Sequence, residues 1–417
     1  MKLSITPAHL SGSLAAIPSK SDAHRLLICA ALADKPTILD LPATSADIEA
    51  TLHCLEALGA GVEKAGSAVT VTPIQAVAEN PLLDCGESGS TLRFLLPVAA
   101  SLSPHVRFTG QGRLPTRPLG PLRTAMERRG VAFSADSLPF ETHGRLKSGA
   151  WELPGNVSSQ YVTGLLLALP RLPGDSALTL TTPLQSAAYV DLTLHALRRF
   201  GVSTPKTDQG WSIPGGQVFS SPGRLRVDGD WSNAAFFLAA GAMGESVCLT
   251  GLEEQSPQGD KEMVALLRRF GGKISTAGGV SVSPGPLRGQ RVDVSEIPDL
   301  LPILAVLAAV SQGDSQFVNA GRLRFKESDR LQTTAALVNA LGGRAEEQPE
   351  GLTVYGGQPL AGGTVDGAGD HRIVMAAAIA ATCCHGPVTI LGAEAVDKSY
   401  PGFWEAYKQL GGNFHVL

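Results

Sequence analysis

Residues 324–330 read Arg-Phe-Lys-Glu-Ser-Asp-Arg, five charges in seven positions just before a long apolar helical pattern. Such a run is either a solvated helix start or one side of a site that holds anions and moves protons. Lys326 and Arg330 are four apart, so on a helix they share one face and both can point at an anionic ligand. Glu327 then lies on an adjacent direction, among cations able to tune its proton affinity. Asp329 reads as a capping or salt-bridging residue. An acidic first turn with compensating bases is commonplace, so the rest of the chain must decide.

Other cations stand where a helix would not choose them. Lys20, Arg25, Arg93 and Arg372 each fall within the first turns after a short polar lead-in, and a cation beside a helix N-terminus is mildly unfavourable. Arg117 in Leu-Pro-Thr-Arg-Pro-Leu-Gly and Lys398 in Val-Asp-Lys-Ser-Tyr-Pro-Gly occupy other junctions. Any one of these suits a surface salt bridge. As a set they point to a convergent cluster for phosphate and carboxylate groups.

The elements that must position them repeat. Six segments end an amphipathic pattern in a glycine and continue as a strand-like run, with first glycines at Gly59, Gly130, Gly201, Gly271, Gly342 and Gly411, spaced 69 to 71 residues apart. Glycine there is the expected left-handed cap, because it reaches positive φ without a Cβ clash. The polar lead-ins keep step: Ser19, Ser88, Ser158, Asp230, Asp299 and Asp370 each precede an apolar helical stretch, at spacings of 69 to 72 residues. Two series at one period imply six α/β units, each with a buried helix, an amphipathic helix and short strands. Stretches such as Phe236–Met243 and Ile373–Cys384 are apolar nearly all round, which suits helices enclosed by sheets. The serine, aspartate and glycine of these lead-ins are also ordinary capping residues.

Composition narrows the function. The chain has 417 residues, 43% hydrophobic and 17% charged, with a net charge of −4, which fits a globular protein and disfavours wholesale binding to nucleic acid or anionic membrane. Cys29, Cys54, Cys85, Cys248, Cys383 and Cys384 form no C-x-x-C pair, so no zinc knuckle or thioredoxin motif is expected. His24, His105, His143, His195 and His385 read as surface or packing residues. The start Met1–Leu10 lacks the apolar core of a signal peptide, and a cytoplasmic protein is expected.

Seven segments in order carry a resemblance. Pro18–Arg25 (PSKSDAHR), Ser88–Arg93 (SGSTLR), Arg113–Gly120 (RLPTRPLG), Asn156–Tyr161 (NVSSQY), Ile297–Asp299, Lys326–Arg330 (KESDR) and Asp370–Arg372 (DHR) resemble the motif series of the 5-enolpyruvylshikimate-3-phosphate synthases. The resemblance runs from about residue 18 to Lys398. It implies a two-domain inside-out α/β barrel of six βαβαββ pseudo-repeats, three per domain, with residues 18–226 forming one domain and 1–17 plus 227–417 the other, and the active site in the cleft between them. The implied reaction transfers the enolpyruvyl group of phosphoenolpyruvate to the 5-hydroxyl of shikimate 3-phosphate and releases phosphate, on the path to chorismate and aromatic amino acids. It implies no metal and no organic cofactor, small-molecule partners only, and a monomer.

Residue by residue, the resemblance implies that Lys20, Ser21, Arg25, Ser158, Ser159, Gln160, Ser186, Tyr189, Asp299 and Lys326 meet shikimate 3-phosphate. Lys20, Gly89, Arg93, Arg117, Gln160, Arg330, His371, Arg372 and Lys398 meet phosphoenolpyruvate. Asp299 accepts the 5-hydroxyl proton, Glu327 is associated with proton delivery to the methylene carbon, and Lys20 completes the catalytic set. Glu87, Ser90 and Arg322 depart from the family's usual pattern around the phosphoenolpyruvate pocket and one phosphate contact. The sister family acting on UDP-N-acetylglucosamine generally carries a reactive cysteine or aspartate before an arginine–proline pair. The loop Gly110–Pro118 has neither. A non-catalytic anion-binding relative is the other alternative, and intact Lys20, Asp299 and Glu327 argue against it.

Overall fold

Glycine's freedom at positive φ ends all six amphipathic helices. The first glycines sit at φ 101°, 92°, 74°, 113°, 88° and 96° for Gly59, Gly130, Gly201, Gly271, Gly342 and Gly411, where a Cβ would be strained. Each is preceded by a surface-facing helix: Ala46–Ala57, Gly120–Glu127, Ala187–Arg199, Met263–Phe270, Arg330–Ala340 and Phe403–Gln409. The apolar helices that follow the polar lead-ins are Lys20–Ala31, Gly89–Leu102, Ser159–Ala168, Trp231–Met243, Leu301–Ala309 and His371–Ala381. Their side chains are buried on nearly every face, the outcome expected of helices without a polar stripe. Cys383 and Cys384 fall just past the end of the last one rather than within it.

The computed structural model describes residues 1–417. They form two units, Pro18–Val227 and Met1–Ile17 with Asp228–Leu417, each with its own hydrophobic core. Each unit holds three four-stranded sheets of one design, a parallel pair followed by two antiparallel neighbours. In Pro18–Val227, for example, Leu82–Asp84 runs parallel to His105–Thr109, which pairs antiparallel with Phe140–His143 and so on to Ala132–Phe133. The six units are those the repeat pattern implies, and the architecture is the two-domain inside-out α/β one that the resemblance implies.

The first seventeen residues complete the unit that holds residues 228–417. Lys2–Thr6 lies between Val388–Leu391 and Asn413–Val416, with Leu3 opposite both Ile390 and Val416. Gly12–Ala15 runs parallel to Val247–Thr250. In the other unit the corresponding parallel strand of the first sheet is Arg224–Arg226, beside Thr37–Asp40.

A hydroxyl relay ties the first two buried helices of Pro18–Val227. His24 Nδ1 lies 2.7 Å from Thr51 Oγ1, Thr51 Oγ1 lies 2.7 Å from Thr91 Oγ1, and Thr91 donates to Ser88 Oγ at 2.8 Å. Burial, with Lys20 and Arg25 nearby, drives the His24 pKa well below its ordinary value of 6.5, so the folded ring is neutral. Below pH 6.5 the unfolded chain takes up a proton that the folded one refuses, and stability falls as pH falls. The slope from this one group approaches ~1.4 kcal/mol per pH unit. His24→Asn should therefore flatten the change in urea midpoint between about pH 7.5 and about pH 5.5; an unchanged profile would show that this ring is not the group responsible.

Candidate functional site

Five of the six residues that open the buried helices spend their side chains on the helix that follows. Ser19 accepts from Asp22 N at 3.3 Å, Ser88 from Thr91 N at 3.2 Å, Ser158 from Gln160 N at 3.3 Å, Asp230 from Asn233 N at 2.7 Å and Asp370 from Arg372 N at 3.0 Å. These are N-caps in the ordinary sense. Asp299 is different. It sits in a single 3₁₀ turn, Pro298–Leu300, ahead of Leu301–Ala309, and is the N-cap residue of neither.

Its carboxylate instead gathers three cations. Arg330 Nη1 lies 2.8 Å and Lys326 Nζ 3.3 Å from Asp299 Oδ1, and Arg372 Nη2 lies 3.1 Å from Oδ2. Arg330 also reaches Glu327 Oε2 at 2.6 Å and Asp370 Oδ2 at 3.0 Å. With 1% of its side chain exposed and Asp370 fully buried, burial works against the Arg330 charge, yet Asp370, Glu327 and Asp299 together hold its pKa above the ordinary value. Lys326 shows the opposite balance: burial lowers its pKa, although Asp299 opposes the shift. Lys398 donates to Gly369 O at 2.7 Å, at the start of the helix that His371 opens.

The helical reading of residues 326–330 is corrected by the backbone. The helix begins at Arg330, with Asp329 as its N-cap accepting from Gln332 N at 3.2 Å and also pairing with Arg324 at 3.0 Å. Lys326 follows a 3₁₀ turn, Gly321–Phe325, in extended conformation. Lys326 and Arg330 still converge on one oxygen, but through a turn rather than a shared helical face.

The unit Pro18–Val227 holds two further groups of expected residues. Arg25 donates to Thr193 Oγ1 at 2.8 Å, to Tyr189 O at 2.8 Å and to Ser21 O at 2.5 Å, and lies over the Phe94 ring. Burial lowers its pKa to about 10, against the pull of Asp22. Ser186, at φ 55°, starts the helix that carries Tyr189. Lys20 pairs with Asp47 at 2.9 Å. In the second group, Gln160 accepts from Arg93 at 3.2 Å and donates to Ser90 at 3.0 Å, while Arg93 also donates to Pro118 O at 2.9 Å. Ser159 is buried beside Gln160 on the same helix.

Gly89 explains how two guanidinium groups fit at one helix start. A Cβ at this position would stand 2.6 Å from both Arg117 Nη1 and Arg93 Nη1. Both arginines thus crowd the backbone of a helix N-terminus whose N–H groups already favour an anion. The departures from the usual pattern also find places. Glu87 packs against Gly112, Ser90 holds Gln160, and Arg322 donates to Ser295 O.

Several contributors escape a reading by motif. Asp47, in the first turn of the helix Ala46–Ala57, pairs with Lys20; its position after the Ser45 cap is the only local signal. Asp260 is buried and hydrogen-bonded by Ser232. Burial and the neighbouring Asp299 push its pKa up to about 6, with Arg372 opposing. Nothing in the sequence around Asp260 marks it, because its importance comes from contacts distant along the chain.

Similarity to known proteins runs the full length of the chain. The family model described as EPSP synthase (3-phosphoshikimate 1-carboxyvinyltransferase) matches residues 5–407. A 3-phosphoshikimate 1-carboxyvinyltransferase of Clostridium kluyveri is 41% identical over 98% of this chain and 97% of its own length. That of Clostridium acetobutylicum is 41% identical over 99% and 97%. A solved EPSP synthase from Acinetobacter baumannii superposes with a TM-score of 0.82 at 25% identity, covering 100% of both chains. The enolpyruvyl transferase NikO from Streptomyces tendae shares the fold at a TM-score of 0.81 and 21% identity. No helix is long and apolar enough to cross a membrane.

Proposed function

Since the chain belongs to the EPSP synthase (3-phosphoshikimate 1-carboxyvinyltransferase) family, we propose that Asp299, Glu327 and Lys20 carry its transfer reaction. The enzyme is a transferase of the shikimate pathway. It moves the carboxyvinyl group of phosphoenolpyruvate to the 5-hydroxyl of shikimate 3-phosphate and releases phosphate.

The reaction needs a base at the hydroxyl, an acid at the methylene carbon, and cations for two phosphates and a carboxylate. In this reading Asp299 takes the 5-hydroxyl proton as the oxygen attacks C2 of phosphoenolpyruvate. Glu327 delivers a proton to C3, which becomes a methyl group. The tetrahedral adduct then loses a methyl proton and expels phosphate. Arg330, Arg372, Lys326 and Lys398 neutralise ligand anions, with His371 next to Arg372. Lys20, Gly89, Arg93, Arg117 and Gln160 hold phosphoenolpyruvate. Ser21, Arg25, Ser158, Ser159, Ser186 and Tyr189 hold shikimate 3-phosphate.

The observation that carries the role of Asp299 is the trio of cations around its carboxylate. The other five residues that precede the buried helices are N-caps, whereas Asp299 lies inside a 3₁₀ turn and its oxygens face Lys326, Arg330 and Arg372. Incoming phosphate and carboxylate groups compete for the same cations, which frees a carboxylate oxygen for the substrate hydroxyl. Six free thiols suit a reducing compartment, and we place the enzyme in the cytoplasm.

Purified protein should release phosphate from phosphoenolpyruvate only when shikimate 3-phosphate is present. Equal release with UDP-N-acetylglucosamine would overturn the acceptor. Gly89→Ala should raise KM for phosphoenolpyruvate by roughly ten-fold, or about 1.4 kcal/mol, while leaving KM for shikimate 3-phosphate nearly unchanged. The new methyl displaces two flexible guanidinium ends rather than backbone, so the fold should survive. Equal effects on both KM values would remove Gly89 from the phosphoenolpyruvate side.

A further inference from the structure

Outside these clusters, one group of nitrogen and oxygen donors is unused by the reaction. The antiparallel pair His105–Thr109 and Phe140–His143 sets His105 directly opposite His143 and Arg107 opposite Glu141. Val106, Phe108, Phe140 and Thr142 are buried, so strand alternation turns His105, Arg107, Glu141 and His143 to the other face. There the two imidazoles stack with centroids 4.5 Å apart. His105 Nε2 lies 2.8 Å and His143 Nε2 3.6 Å from the same oxygen, Glu141 Oε2.

We propose that His105, Glu141 and His143 form a binding site for a divalent transition metal of the zinc class. One ligand atom from each residue lies within 4.8 Å of the other two. Ligands about 2.1 Å from a tetrahedral zinc stand ~3.4 Å from one another, so small side-chain rotations suffice. Two imidazoles and a carboxylate favour zinc, nickel or copper over magnesium or calcium, which prefer oxygen-only shells. His105 has a second support: its Nδ1 contacts Asn80 Oδ1, from a residue held at φ 51°. A partner on one ring nitrogen is what orients the other toward a metal. Three protein ligands on an open sheet face leave the fourth position to water. Arg107, facing Glu141, opposes the added positive charge and should keep the affinity modest.

The test is titration of metal-stripped protein with Zn²⁺ against a chromophoric chelator. One equivalent should bind at micromolar concentration, Mg²⁺ should not compete, and Zn²⁺ should raise the thermal midpoint by binding the folded state. His143→Ala and Glu141→Gln should each weaken binding by roughly ten-fold or more, with phosphate release unchanged. Both side chains are partly exposed, and circular dichroism of the variants verifies their folding. The site is overturned by no binding up to saturating Zn²⁺, or by binding that the folded variants leave intact.

Discussion

Asp299→Asn should lower kcat by roughly 10²–10⁴, the usual reach of a positioned acid or base, without raising KM for either substrate. The amide keeps the size of the side chain but cannot take the 5-hydroxyl proton. It also removes one of the anions that share Lys326, Arg330 and Arg372 in the folded protein. Ligand phosphate and carboxylate groups then meet less competition, so KM should stay level or fall. Steady-state kinetics separates the two effects. A kcat within a few-fold of the parent would remove Asp299 as the base, and a large rise in KM would reassign it to binding.

The second large effect is on stability. Arg330→Met should destabilise the unit Met1–Ile17 with Asp228–Leu417 by ~3–5 kcal/mol, the cost of removing one partner from a buried ion pair. Asp370 would remain fully buried with its main cation gone. Its contacts with Ser328 Oγ and Arg372 N, at 2.9 Å and 3.0 Å, are hydrogen bonds that cannot replace a full charge. Adding Asp370→Asn should restore part of the loss, because the uncompensated carboxylate is then neutral. Glu327→Gln should cost much less stability, since that carboxylate keeps contact with solvent, while still reducing turnover. Urea unfolding of the three variants checks the order. A loss below ~1 kcal/mol for Arg330→Met would show that the buried pair is not a structural keystone.

What could be read from the sequence was what is local. Helix-ending glycines and N-cap serines and aspartates depend on φ and on hydrogen bonds a few residues away, and Gly59 through Gly411 and the caps Ser19, Ser88, Ser158, Asp230 and Asp370 appear where their spacing put them. By spacing alone Asp299 is one more polar residue before an apolar helix; the resemblance singles it out as the proton acceptor, and its contacts with Arg330 and Arg372, 31 and 73 residues later in the chain, set it apart in the structure. Charge spacing cannot distinguish the turn at Lys326–Asp329 from a helix, which is why the two cations suggest a shared helical face that the backbone does not have. Asp47 and Asp260 carry no motif at all. Each acquires its role from a partner brought near by packing, Lys20 in one case and Ser232 with Asp299 in the other.

The strand Lys2–Thr6 leaves the ribosome more than 380 residues before the strands it joins, Val388–Leu391 and Asn413–Val416. Throughout synthesis of the intervening chain its edges stay without their native neighbours. Residues 18–227 have all their strands by the time Arg226 emerges and can fold behind it. Translation therefore delivers one finished half while a strand whose Leu3 and Ile5 are destined for burial waits for its mates, and a chaperone's window of contact with the nascent protein should coincide with that wait.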